Sequence, residues 1–232
     1  VLDRAERALL EHDWISTKLD FYDQRYYRTW MHEIPPMRHV TRNTSLDVHH
    51  TILPPTAVFK PDVNLLWSGC EALPGYCRVY RLADQDMVLH SAVHLFHDGD
   101  LAGGLRDLVD LDSLLRMFGE DRGFWSALLD RAVELDLIRP CYYALKYCQR
   151  ILLTPVPDWV LARAEVLGAP HPVFGFGMDA LVGAALEPSR ESVDSLWPRF
   201  GRWLLYVRSH YLRMPPYLLI PHLARKAIKP YN

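Results

Sequence analysis

SLDVHHTILPP, Ser45 to Pro55, decides whether the first part of this chain carries a sheet. Leu46 and Val48 alternate with Asp47 and His49, the period-two pattern of a strand with one apolar and one polar face. The double proline Pro54-Pro55 then ends the run. Just upstream, TRNT (Thr41–Thr44) is a polar turn and PMRHV (Pro36–Val40) is extended, so the simplest expectation is two antiparallel strands joined at 41–44. RYYRTWMHEI (Arg25–Ile34) also reads as aromatic and extended, and Pro35 and Pro36 place the first strand at a sheet edge or break it. Before this, residues 3–14 read as a helix capped by Asp3, with Ala5, Ala8, Leu9 and Trp14 as its apolar stripe.

Beyond Pro54 the prolines at 55, 61 and 74 and Gly75 mark a loop with one short helix, Val63–Ser68, and CRVYRL (Cys77–Leu82) is a short strand. From there the pattern changes period. DQDMVLHSAVHLFH, LRDLVDLDSLLRMF, FWSALLDRAVELDL, RPCYYALKYCQRIL and PDWVLARAEVL each repeat apolar residues every three to four positions. The fold class is therefore α+β: a small sheet-bearing part, residues 1–82, followed by a mainly helical part, residues 83–232. The linker DGDLAGG (Asp98–Gly104) has glycines that permit a tight reversal between two of these helices.

Composition excludes several classes. The 232 residues carry a net charge of -2, so no global basic field argues for nucleic acid. Cys70, Cys77, Cys141 and Cys148 fall seven apart in each pair, matching neither a zinc-ligand spacing nor a secreted disulfide framework. They read as reduced thiols, mostly buried, in a cytoplasmic protein. No apolar run approaches the length of a transmembrane helix, and the N-terminus lacks the apolar core of a signal peptide.

Three groups carry chemistry. Asp47 is either a solvated outward residue or a magnesium ligand on a rigid strand, since hard cations take carboxylate oxygens. His90, His94 and His97 share one helical face. Ser91 stands where a zinc protease needs Glu, while the pair His97-Asp98 suggests a metal-dependent phosphohydrolase of the HD type. Arg106, Asp107 and Asp110 fall within one helical turn, beside Leu105, Leu108, Val109 and Leu111 that can face a core. The adjacent acids repel mildly unless a base or ligand sits between them.

Taken together, the acid on the Leu46–Val48 strand, the LHSAVHLFH helix and RDLVDLDSLL resemble the uncharacterised bacterial nucleotidyltransferase family of the polymerase-beta-like superfamily. RDLVDL is also similar to a helix of abortive-infection-type nucleotidyltransferase toxins. The resemblance covers roughly residues 1–135. It implies a partial nucleotidyltransferase sheet, antiparallel or mixed, and a magnesium-dependent transfer of a nucleotidyl group from a nucleoside triphosphate to an unknown acceptor. In such a site a Gly-Ser turn grips the triphosphate, an Asp-x-Asp strand supplies two metal ligands, and a third acid completes the set. Asp47 matches the third acid, as metal ligand or catalytic base. His49, His90, His94, Arg106, Asp107 and Asp110 would line the substrate cleft. No Gly-Ser followed by Asp-x-Asp occurs in the sequence. The expectation is that these strands precede Val1 and that this chain by itself is inactive. A non-catalytic binding module of the same fold is the other reading.

The last segment, residues 197–232, follows the final acid, Asp194, and carries Arg199, Arg202, Arg208, Arg213, Arg225, Lys226 and Lys229 among aromatics. Pro215 and Pro216 divide it into two short helices. It either packs as core with a charged rim or makes a weak contact with a membrane surface or a nucleic-acid backbone.

Overall fold

A computed structural model describes residues 2–98, 104–186 and 196–228, without the side chains of 98, 196–198 and 226–228. Most of the reversal at 98–104 thus lies outside the described residues. The chain divides into two compact units, Val1–Ala57 and Val58–Asn232.

The first unit holds helix α1 (Leu2–Leu10), strand β1 (Trp14–Ser16), helix α2 (Phe21–Trp30) and strands β2 (Met37–His39) and β3 (Ser45–Leu46). The sheet is antiparallel with β2 in the middle, pairing Trp14 with His39 and Met37 with Leu46. Met37 is buried, Arg38 exposed and His39 buried, so the pleat sorts side chains by face. The hairpin at 41–44 forms as expected. The His39 ring nitrogen accepts from the Thr41 and Arg42 N–H groups at 3.3 Å, and Asn43 takes φ 58°.

Three expectations for this unit are corrected. The first helix stops at Leu10. Asp13 turns left-handed at φ 63°, and Trp14 opens a strand whose ring stands edge-on to His39 at 5.2 Å. The aromatic run is helical up to Trp30, because Asp20 caps it by accepting from the Tyr22 N–H at 2.8 Å. Its aromatics then meet at helical spacing, Tyr22 with Tyr26 at 6.3 Å and Tyr26 with Trp30 at 6.0 Å. Of the two alternatives at Pro35 and Pro36 the edge is overturned, since β2 is the central strand; β2 starts only after the prolines, as a break there requires.

The second unit runs α3 (Val63–Ser68), the hairpin β4 (Glu71–Ala72) and β5 (Tyr80–Arg81), then α4 (Asp84–Asp98), α5 (Gly104–Phe118), α6 (Phe124–Glu134), α7 (Ile138–Leu152), α8 (Asp158–Gly168), α9 (Pro172–Leu186), α10 (Leu196–Arg213) and α11 (Pro216–Ile228). Helix α4 is central, packing on α5, α6, α7 and α10. Its residues Val88, Leu89, Ala92 and Val93 are at most 1% exposed and form a broad core face, while His90, Ser91 and His94 lie on a half-buried face.

Helix α7 packs on α4 and α8 and contributes the buried Cys141, Leu145, Tyr147 and Cys148. Gly168 permits the α8 contact, because a Cβ there would sit 2.6 Å from the Ile138 carbonyl oxygen. All four cysteines are free thiols; Cys141 and Cys148 are buried, whereas Cys70 is half-buried and Cys77 exposed. Burial pushes the Cys141 and Cys148 thiols up to about 12, so both behave as small hydrophobes.

Candidate active site

The polar face around Asp47 is built by an irregular pairing. Met37 opposes Leu46, and the next bridge pairs Glu33 with His49. Three residues, Ile34 to Pro36, therefore face two, Asp47 and Val48, which is the extra residue of a bulge. The two prolines take up that residue where no ladder N–H is needed. Backbone bonds hold both sides, from the Ile34 N–H to Val48 at 3.0 Å and from the His50 N–H to His32 at 2.9 Å.

Leu46 and Val48 are half-buried, and Asp47 and His49 are exposed, as the sequence alternation predicts. The bulge brings in one residue that sequence reasoning missed. Glu33 places its carboxylate 3.3 Å from His49 Nε2, and the His49 ring lies 4.8 Å from that of the buried His32. Only the cross-strand partnership could have found Glu33, because no local motif contains it. Among the described residues, no side-chain hydrogen bond or ion pair engages Asp47.

In the second unit, His90 and His94 do come together, with ring centroids 4.5 Å apart on a half-buried face of α4. His97, one turn on, is 1% exposed and lies 6.0 Å from the Phe59 ring. That placement is a core position and favours packing over an HD-type metal site. The Asp98 side chain lies outside the described residues.

On α5 the core stripe is Gly104, Leu108, Leu111 and Leu115. Leu105 and Val109, expected in the core, are 39% and 44% exposed, because they fall about 100° around the helix from that stripe. Arg106, Asp107 and Asp110 are exposed too. Among the described residues their side chains make no hydrogen bond or ion pair with one another or with His90 and His94. The expected approach of Arg106 and Asp110 to those histidines is not seen as a bond.

Another polar cluster joins α7 to α9. Lys146 Nζ donates to Asp179 at 2.9 Å and the Tyr147 hydroxyl donates to it at 2.9 Å. Burial alone would raise the Asp179 carboxyl. The hydrogen bonds from Lys146 and Tyr147 and the charges of Lys146 and Arg150 outweigh it, so Asp179 sits below the ordinary carboxylate value. For Lys146 burial acts downward, and the bond and charge of Asp179 with the Tyr142 contact leave it raised.

The stabilisation is therefore complete above the unfolded carboxyl value of about 3.9 and below the unfolded lysine value of about 10.4. It fades as pH falls through the lowered Asp179 value or rises through the raised Lys146 value. Asp179→Asn is expected to cost roughly 1–3 kcal/mol near neutral pH. That difference should shrink in acid; urea denaturation at several pH values measures it.

The metal-ligating capacity of these residues is limited. Among the described residues no three His, Cys, Asp or Glu side chains gather into a metal cage. Asp47 offers one unengaged carboxylate of the type a hard cation takes, and no more.

Comparison with known proteins adds one finding. A family model described as "Uncharacterised nucleotidyltransferase" matches residues 1–152, which includes Asp47, Glu33, both histidine pairs and the acidic turn of α5. No curated protein and no solved structure matches the chain.

Proposed function

Because the chain belongs to this uncharacterised nucleotidyltransferase family, we propose that the full-length protein transfers a nucleotidyl group from a nucleoside triphosphate to a hydroxyl acceptor. The observation that carries the reading is the exposed, unengaged Asp47 carboxylate on a pleat-sorted face, beside His49, inside the matched segment. In the reaction the acceptor oxygen attacks the α-phosphorus, the bond to the β-phosphate oxygen breaks, and pyrophosphate leaves. Asp47 takes the acceptor proton or holds one metal position. Magnesium, when bound, supplies charge neutralisation at the phosphates. Asp47 would give it one ligand, and its remaining ligands are not found among the described residues.

The proposed substrate contacts are His49 in the first unit and, each in the second unit, His90, His94, Arg106, Asp107 and Asp110; Arg106 suits a phosphate because its planar fork binds two oxygens at once. Charge-assisted hydrogen bonds of this kind are worth about 1.5–3 kcal/mol, so Arg106→Ala should raise the KM for the nucleotide roughly 10- to 100-fold with folding intact. An unchanged KM would remove Arg106 from the site. A cytoplasmic location agrees with four free thiols, and no helix among the described residues is long and apolar enough to cross a membrane. Residues 197–232, which contain seven Lys and Arg and no acid, would provide a separate contact with an anionic surface, lipid or nucleic acid.

A further inference from the structure

Helix α10 is held along one side. Its inner face carries Gly201, where a Cβ would lie 3.2 Å from the Ala184 Cβ, and Leu205 and Ser209, at 3% and 0% exposure. Between them Arg208 donates to the Phe96 carbonyl oxygen at 2.8 Å and stands 6.0 Å from the Tyr143 ring centroid. Burial lowers this guanidinium from its ordinary value, with Tyr143 and Tyr147 opposing. One of the seven basic residues of the segment is therefore spent on packing, as are the small residues of this face.

The other face is open. Phe200, Trp203, Val207 and Tyr211 fall at i, i+3, i+7 and i+11 and are 47%, 56%, 45% and 61% exposed. Arg199, exposed, and Arg202, half-buried, border this stripe along one side, about 60° apart around the helix; Arg213 falls on the same side but is half-buried with its Nε out of solvent. Helix α11 repeats the arrangement: Tyr217, Ile220 and Leu223 are 74%, 67% and 41% exposed at three-residue spacing, and Arg225 is exposed beyond them. Leu196 to Asn232 contain no acidic residue.

Three occupants can be compared on charge and polarity. A second copy meeting this face by two-fold symmetry would set the arginines of one copy against those of the other, both from a segment whose sequence holds no acid. A nucleic-acid backbone satisfies the arginines and the aromatic rings but gives Val207, Ile220 and Leu223 nothing apolar to enter. An anionic bilayer surface takes all three kinds of side chain: bases at the headgroups, Trp and Tyr at the interface, aliphatics at the acyl boundary.

We propose that the open faces of α10 and α11 are an interfacial patch that seats on an anionic lipid surface. The proposal narrows the anionic-surface contact suggested above and rests on it. It is independent of the nucleotidyltransferase chemistry.

Flotation of the protein with phosphatidylcholine vesicles, with and without phosphatidylserine, tests it. Binding is expected only with phosphatidylserine, at low salt, and should be released by high salt. Arg199→Ala and Arg202→Ala should each weaken it roughly fivefold, the factor for one basic side chain near such a surface. Trp203→Ser and Ile220→Ser should weaken it as well while leaving the melting temperature unchanged, since both side chains are exposed. A duplex DNA arm separates the alternatives. Binding to DNA with none to vesicles, insensitive to Ile220→Ser, overturns the lipid assignment and keeps the anionic contact. Binding to neither, or equal binding to neutral and anionic vesicles, overturns both.

Discussion

Asp47→Asn in the full-length protein is expected to lower nucleotidyl transfer by at least about 100-fold, the scale of a lost proton-transfer group. The fold should not notice the change. Asp47 is exposed, and among the described residues its side chain makes no hydrogen bond or ion pair. Substitutions at such positions fall within about 0.5 kcal/mol in stability. Asparagine keeps the shape of the carboxylate and removes its charge, so a loss of turnover at constant melting temperature isolates the chemistry. Turnover like that of the native protein would take Asp47 out of the site. A joint loss of turnover and stability would mean that the residue supports the strand instead.

The largest effect on stability is expected at Asp86, far from any proposed chemistry in the sequence. Asp86 is wholly buried and accepts two hydrogen bonds from Arg131, from Nε at 2.8 Å and Nη2 at 2.9 Å. The same guanidinium donates to the Leu65 carbonyl at 2.8 Å and to Glu134 at 2.7 Å, joining α3, α4 and α6. Gly69 leaves room for the pair, since a Cβ there would stand 3.1 Å from Arg131 Nη2.

Asp86→Ala removes the wholly buried acceptor of two of that guanidinium's bonds and leaves it only the Leu65 carbonyl and Glu134; its side chain is 17% exposed, and removal of one partner from a buried pair costs up to about 3–5 kcal/mol. Against a typical total of roughly 5–15 kcal/mol this is a large share. At about 2–4 °C per kcal/mol the melting temperature should drop on the order of 10 °C. Replacing both partners, as Asp86→Leu with Arg131→Met, should recover most of the loss, because the desolvation of two charges is then removed with their attraction. A cost below about 1 kcal/mol for the single change would show that the pair does not hold these helices.

What the sequence discloses depends on how local the cause is. The helices from α4 to α8 could be read directly, because each buries a stripe repeated at three and four residues, such as Leu108, Leu111 and Leu115. The hairpin at 41–44 could be read because its turn residues are consecutive. Helix α2 was misread because Tyr and Trp favour strands, while the deciding Asp20 cap is a single residue at its start. Strand β1 is three residues long, too short for a period to show. Helix α9 was missed because Gly175, Gly177 and Gly183 interrupt its apolar run.

The same rule governs the site. The Asp47 and His49 face follows from alternation over four residues. Glu33 reaches His49 only through a bulged cross-strand bridge. Asp86 and Arg131 are 45 positions apart, and Lys146 and Asp179 are 33 apart, so packing alone makes these partners.

The central claim is that this protein moves a nucleotidyl group, and pyrophosphate release tests it most directly. Full-length protein incubated with magnesium and α-phosphate-labelled nucleoside triphosphates should release pyrophosphate in step with label appearing on an acceptor. Asp47→Asn should stop both, and His97→Ala, if folded, should stop neither. Release of inorganic phosphate or triphosphate in place of pyrophosphate, lost with His97→Ala and kept with Asp47→Asn, would contradict the account.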